Sequence, residues 1–355
     1  MNIKYAVRIS HLRKVLGKYM SCSVIGIGKL GLCFALTLDK RGLKVIGVDI
    51  NKTYVDEVNT RSLKSDEPNL MNYLKESKLE ATTDLSMAVN STKFVFILVQ
   101  TPETDESYDH AILIDVIKKI KSVANEPKHI IVNSTVMPGF YRSQDVAPHT
   151  LSYNPAFVAQ GAVLADYERN GKFGVSVIGT YEPEVEKFMK EIFPNIRVMT
   201  PESTEVFKIA DNTFRVVKIA YANFIGDICH RTPGACSAEV SNSLKVDESV
   251  GSICMTPGYG YGGPCYPRDL KALTTYAKSR SVDASILEGV RDTNEDHHQI
   301  LVNDLLAKNL DEYVFESVTY RPGMTVNLTD NSPVLRIIRD LEKLGRNVRV
   351  LAREG

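Results

Sequence analysis

The sequence predicts an α/β chain with a nucleotide-binding domain first, an all-helical middle, and the beginning of a second α/β domain at the end. Three observations carry this. Residues 21–49 run apolar strand, Gly-x-Gly-x-x-Gly, helix, strand, acid. From Pro201 to about His230 a long helical segment holds apolar residues on most of its faces. Between 313 and 351 a strand, a helix and a strand follow one another. Strand–helix alternation of this kind covers both faces of a parallel sheet.

Composition narrows the function. The 355 residues allow two or three domains with ample core. Lys+Arg and Asp+Glu are equal at 43 each, so the chain has no electrostatic footprint for nucleic acid or an anionic membrane. No apolar run approaches the ~20 residues needed to cross a bilayer. The cysteines at 22, 33, 229, 236, 254 and 265 have neither Cys-x-x-Cys nor metal spacing, and read as reduced thiols of a cytoplasmic protein. His297 and His298 are adjacent and cannot share a helix face, so no metal is expected there.

Residues 1–19 carry five cations and no acid, the first acid being Asp39. They lack the apolar centre of a secretory signal. Translation from Met20 is the simpler expectation, and 1–19 stand outside the fold. The strand at 21–26 then delivers Gly26-Ile27-Gly28-Lys29-Leu30-Gly31, followed by a helix to 41 and a strand at 44–48. The glycines permit a tight turn and close approach of a pyrophosphate to the helix N-terminus. Asp49 lies 18 residues after Gly31, placed to accept from a ribose 2′-hydroxyl and to repel a 2′-phosphate, which favours NAD over NADP. With strand, helix and acid in register the glycine pattern is strong.

A buried strand at 94–99 leads to Gln100-Thr101-Pro102, where a cofactor-side loop should begin. A helix at 111–124, a strand at 129–133 and Ser134-Thr135-Val136-Met137-Pro138-Gly139 follow. Thr135 is a binding or catalytic candidate, with a turn cap as its ordinary alternative. The strand at 175–179 reads as the last of the first domain and 182–193 as its closing helix. On the long helix from 201, Lys208 and Asn212 are four apart and point from one face. Buried polar groups need partners, and an ion pair with Glu205 or Asp211 is the structural alternative for Lys208. Residues 233–256 continue the helical middle. A helix at 270–278 and another from about 284 come next, then the strand at 313–319, a helix at 333–344 and a strand at 347–351.

The stretch Pro257-Gly258-Tyr259-Gly260-Tyr261-Gly262-Gly263-Pro264-Cys265-Tyr266-Pro267-Arg268-Asp269 is too rich in glycine and proline for a helix or a central strand. It reads as an ordered loop whose backbone comes close to something, ending in a cysteine beside a cation that would favour the thiolate. This loop resembles the active-site loop of the UDP-glucose/GDP-mannose dehydrogenase family. The Ser134–Gly139 loop, the Lys208-x-x-x-Asn212 pair, Asn154-Pro155-x-Phe157 and Thr329-Asp330 resemble other segments of that family.

The resemblance, over about residues 20–355, implies an N-terminal Rossmann NAD-binding domain at 20–200 and a central all-helical dimerisation domain at 201–298. A partial Rossmann-like UDP-binding domain would follow at 299–355, with 1–19 an extension. It implies oxidation of a nucleotide-sugar C6 alcohol to the uronate with two NAD, UDP-glucose to UDP-glucuronate being preferred, in support of polysaccharide synthesis. Cys265 would carry a thioester. Lys208 would stabilise oxyanion charge, and Asp269, Asn212 and Thr135 would handle water. NAD would rest on Gly26, Ile27, Gly28, Leu30, Gly31, Asp49, Thr101 and Thr135. The sugar nucleotide would meet Phe157, Gln160, Lys208, Asn212, Tyr259, Gly260, Tyr261, Gly262 and Gly263, and Arg321 its phosphate.

Several positions depart from the family pattern: Gln160 stands for a second acid, as in some branches, Thr329-Asp330-Asn331-Ser332-Pro333 lacks an arginine, and two further departures bear on the chemistry. Ala156 stands where the family has a glutamate that assists hydrolysis, and alanine cannot accept a proton. Ser249 stands where an arginine reaches toward the neighbouring subunit's sugar. Slow hydrolysis is therefore expected. A catalytically degenerate nucleotide-sugar/NAD-binding protein is the alternative. A 3-hydroxy-acid dehydrogenase shares the glycine-rich half but gives Cys265 no task.

Overall fold

The structure, a computed structural model, describes residues 20–104, 107–171, 174–320 and 328–351. The described residues form two compact units, the first ending at Lys208 and the second beginning at Ile209. The expected roles of residues 1–19 and of Arg321 lie outside the described residues.

The first unit is built on an eight-stranded sheet. Its strands are β1 (Ser21–Ile25), β2 (Lys44–Val48), β3 (Glu80–Thr82), β4 (Phe94–Ile97), β5 (His129–Val132), β6 (Thr150–Tyr153), β7 (Val177–Gly179) and β8 (Arg197–Met199), in the order β3-β2-β1-β4-β5-β6-β7-β8. All pairings are parallel except β6 with β7. The order reverses between β1 and β4, which is the switch point of a doubly wound sheet, where the carboxyl ends open a crevice for a ligand. The runs Cys22–Ile25 of β1 and FVFI of β4 are buried on both faces, as parallel strands require. One face is covered by a core containing Phe34, Leu38, Leu164, Phe188 and Ile192. The other is covered by one containing Ala88, Leu113, Ile117 and Ile120.

The expectation that 175–179 ends the sheet is corrected. Here β7 is followed by helix Pro183–Ile192 and then by β8. A three-residue strand of Arg-Val-Met, half-buried, carries too little alternation to be read from sequence. The short strand β3 was likewise not foreseen, nor was β6.

In the second unit, helix Pro201–Arg231 continues from the first, followed by helices Ser237–Val246, Tyr266–Ser279 and Ser285–Ala307. The helical middle expected over 233–256 shrinks to Ser237–Val246, because 247–265 is turn and loop. The helix expected at 270–278 begins four residues earlier, at Tyr266. Pro267 sits in its first turn, where proline's missing N–H and fixed φ cost nothing. Strands β9 (Tyr313–Phe315) and β10 (Val348–Val350) pair in parallel, with helix Pro333–Lys343 between them in sequence. Its apolar face, Val334, Ile337, Ile338 and Leu341, packs with Val302, Tyr313 and Phe315 in a separate core.

Candidate active site

The glycine-rich turn leaves β1 under tight steric control. Gly26 has φ +86°, and a Cβ there would lie 2.5 Å from the Leu98 carbonyl oxygen. A Cβ on Gly31 would overlap the carbonyl of Gly26, so helix Lys29–Lys40 approaches the turn as only glycine allows. Gly28, the residue before the helix, is the reverse case: a Cβ there would meet nothing within 4 Å. An open face at a helix N-terminus, with no acid in the first turn, suits a pyrophosphate.

Leu30 is exposed beside this face, whereas Ile27 turns its side chain into the core and donates its N–H to the Val48 carbonyl at 3.3 Å. Asp49 ends β2, its Oδ1 accepting from the Asn51 N–H at 3.0 Å. Ile50 beside it is 98% exposed, an apolar surface next to Asp49 that sequence reasoning overlooked. The residues present fit a dinucleotide.

The carboxyl ends of the neighbouring strands are stitched by side chains. Ser134 Oγ donates to the Val99 carbonyl at 2.6 Å and accepts from the Val99 N–H at 2.9 Å, tying the loop of Thr101 to that of Thr135. Asn133 donates to both oxygens of Asn154, whose Nδ2 donates to the Val177 carbonyl at 2.6 Å. Thr101 is buried. Thr135 is half-buried, and its hydroxyl caps no turn among the described residues. Glu205 instead holds this region: its carboxylate accepts from the Gly139 and Tyr141 N–H groups at 2.7 and 2.6 Å. Burial pushes the Glu205 carboxyl up to about 7, against the pull of those two bonds.

Lys208 donates to the Ala156 carbonyl at 2.7 Å, and its ammonium lies 4.5 Å from the centre of the Phe157 ring. The ion-pair alternatives for Lys208 are engaged elsewhere: Glu205 on backbone and Asp211 on Arg215. Gln160 is half-buried in the same loop. Glu67, 3% exposed, accepts from the N–H groups of Gly161 and Val163 and so fixes the end of that loop.

In the second unit, Cys265 is exposed and immediately precedes helix Tyr266–Ser279, where a helix N-terminus favours an anion. Asp269, one turn on and fully buried, accepts from Asn212 Nδ2 at 2.6 Å and from Arg268 Nε at 3.0 Å. Two sequence candidates thus meet directly. The close approach expected of the loop backbone is in part to this unit's own residues. A Cβ on Gly260 would lie 2.7 Å from Asn294 Oδ1, one on Gly263 would lie 2.8 Å from the Tyr320 ring, and one on Gly262 would overlap the Asn331 carbonyl. Tyr261 is buried and donates its N–H to Asn294 at 3.0 Å, while Tyr259 is exposed. Ser249 closes a local turn onto Asp247. Among the described residues no cluster of ligands suits a metal ion, and no helix is long and apolar enough to cross a membrane.

Two family profiles match end to end. Residues 20–197 match the NAD-binding domain of the UDP-glucose/GDP-mannose dehydrogenase family, and residues 202–296 match its central domain. The chain belongs to this family. The UDP-glucose 6-dehydrogenase of Rickettsia bellii (strain RML369-C) is 28% identical over 361 residues, covering 93% of this chain and 80% of that one. The GDP-mannose 6-dehydrogenase of Pseudomonas aeruginosa is 26% identical over 362 residues, with 94% and 81% covered. A solved UDP-glucose dehydrogenase from the archaeon Pyrobaculum islandicum superposes with a TM-score of 0.83 at 24% identity, over 94% of this chain and 81% of that one, a likeness of fold.

The chain is accordingly an NAD-binding oxidoreductase of the UDP-glucose/GDP-mannose dehydrogenase family, with the doubly wound first domain and helical centre that its sequence predicts. It presents methyl and hydroxymethyl side chains at Ala156 and Ser249, two of the positions where a departure from the family pattern was expected. Among residues that sequence reasoning missed, Ser134 and Asn133 directly follow β5, and Glu67 precedes a proline. Polar residues at the carboxyl end of a strand were the available signal.

Proposed function

We propose that this protein oxidises the C6 alcohol of UDP-glucose, or of a close UDP- or GDP-sugar, to the uronate through a thioester on Cys265, with slow release of the acid. The observation that carries the reading is the exposed Cys265 at a helix N-terminus, one turn before an Asp269 carboxylate fixed by Asn212. The names of the relatives support the substrate class, and UDP-glucose is preferred among them. NAD, held on Gly26, Gly28, Gly31 and Asp49, would supply the hydride acceptor for each of the two oxidations.

The chain's own residues do the rest. Lys208 steadies the alkoxide that forms as the C6 hydroxyl loses its proton, and preorganised charge of this kind is usually the largest catalytic contribution. Cys265 Sγ adds to the aldehyde carbon, giving a thiohemiacetal whose oxidation leaves a thioester, so the aldehyde is never released. Asp269, Asn212 and Thr135 orient the water that cleaves it. At 156 a methyl group replaces a proton acceptor, which slows this last step by ~10²–10⁴.

The segment 299–355 serves in this reading in nucleotide binding. A homodimer forms through helix Pro201–Arg231, where Phe214, Tyr221, Phe224 and Ile228 make an exposed apolar stripe at spacings of seven, three and four. The reaction belongs in the cytoplasm, where thiols stay reduced.

The test is intact mass together with NADH release on mixing with NAD and, separately, UDP-glucose, GDP-mannose and UDP-N-acetylglucosamine. The expected result is a burst of NADH, an adduct on Cys265 and slow turnover. The catalytically degenerate reading is less favoured by the intact Asn212–Asp269 contact. Neither NADH nor adduct with any of the three sugars would establish it.

A further inference from the structure

The Cys265 loop is gripped upstream of the cysteine, with both backbone groups of Gly258 held. The Gly258 N–H donates to Asn223 Oδ1 at 2.7 Å. The Gly258 carbonyl oxygen lies 2.7 Å from Nε2 of His297, and Nδ1 of the same ring lies 2.8 Å from Asp227 Oδ2. Asn223 and Asp227 are four apart on helix Pro201–Arg231 and so share a face. Asn294 and His297 are three apart on helix Ser285–Ala307, and Asn294 holds the Tyr261 N–H. Three side chains from two helices therefore bind three backbone groups of residues 258–261, and Asp227 backs the His297 ring. Asn223 is 1% exposed and His297 4%, so the side-chain ends of their bonds to Gly258 lie out of water, where losing a partner leaves a costly unpaired group.

The donor arithmetic at His297 is restrictive. A carbonyl oxygen only accepts, so Nε2 must carry a proton. A carboxylate only accepts, so Nδ1 must carry one as well. Asp227, whose Oδ2 lies 2.8 Å from Nδ1, is the counter-charge. We infer that His297 is a positioning residue for the nucleophile loop: an imidazolium, neutralised by Asp227, that clamps the Gly258 carbonyl and fixes the backbone leading to Cys265. A neutral imidazole in this place would set two acceptors against each other at one end of the ring. The catalytic consequence rests on the role proposed for Cys265, but the clamp itself does not.

The test uses the full chain without substrate, so that it stands or falls apart from that role. With ¹⁵N-labelled histidine, both ring nitrogens of His297 are expected to be protonated at neutral pH. A single protonated nitrogen overturns the inference. In Asp227→Asn, close in shape and able to donate an N–H to Nδ1, the ring needs only one proton. That variant is expected to lose the second ring proton while amide exchange of peptide 258–263 stays within about twofold of wild type, since every bond is still made.

His297→Gln places an acceptor against either the carboxylate or the carbonyl. Exchange of the same peptide should then quicken by about tenfold or more, the scale of one charge-assisted hydrogen bond. Adding Asp227→Asn to His297→Gln restores an alternating donor–acceptor chain and should return exchange to near wild type. A ring that merely fills space predicts no such rescue, and its absence overturns the inference. Where His297→Gln alone fails to fold, the ring-proton measurement and Asp227→Asn decide the matter.

Discussion

In the proposed reaction, alanine at 156 would put a methyl group where cleavage of the thioester needs a proton acceptor, while its carbonyl accepts from Lys208 at 2.7 Å. Main-chain function and side-chain function are separated at this position. Ala156→Glu should therefore raise steady NADH output by about tenfold or more, within the ~10²–10⁴ that a general base supplies, without a matching change in the initial burst. Equal steady rates in the two proteins would remove Ala156 as the cause of slow turnover. Cys265→Ser should abolish both the sugar adduct and the second equivalent of NADH, because an oxygen ester does not form by the same route. The assay is intact mass beside absorbance, and an adduct elsewhere on the chain would refute the assignment.

At the scale of elements, the short helix Phe140–Ser143 depends on a residue far away in sequence. Glu205 satisfies two backbone N–H groups at its start from the first turns of helix Pro201–Arg231. Glu205→Gln replaces one accepting oxygen by a donor facing an N–H, so about 1–2 kcal/mol is lost and Tm falls by roughly 2–8 °C. Burial raises the Glu205 carboxyl to about 7. In the unfolded chain it ionises near the ordinary carboxylate value. The folded form thus binds an extra proton between the two, and the stability this confers is present below the ordinary value and lost as pH rises through about 7. The Tm gap between wild type and Glu205→Gln should narrow from about pH 5 to about pH 8, and parallel curves in a thermal-melt series would contradict this.

Glu205 also shows what a sequence conceals. Its spacing suited a helix start or a partner for Lys208, and nothing local pointed to the 139–141 backbone. The long-period features were legible: the glycine turn with Asp49, the helix from Pro201, the apolar face of Pro333–Lys343. Three-residue strands such as β3 and β8 were not, because three residues carry no usable alternation. The Asn212–Asp269 contact joins residues 57 apart, and no spacing rule reaches that far. Cys265 was recognised from its loop, while the helix beginning at the next residue was hidden by reading Pro267 as a breaker.

For the whole molecule, the exposed stripe of Phe214, Tyr221, Phe224 and Ile228 sets the expected assembly. Light scattering should return twice the 39.5 kDa chain mass, and Phe224→Asp should shift the population toward one chain, since a charge on a closing apolar interface has no partner. A single-chain mass for the wild type would count against pairing through this helix. The nucleophile loop also has a history during synthesis. Asn331 Nδ2 donates to the Gly263 carbonyl across 68 residues of chain. At ~5–20 residues per second the ribosome needs about 3–14 s to make that distance. For those seconds the cysteine-bearing turn exists without one of the walls it is moulded against.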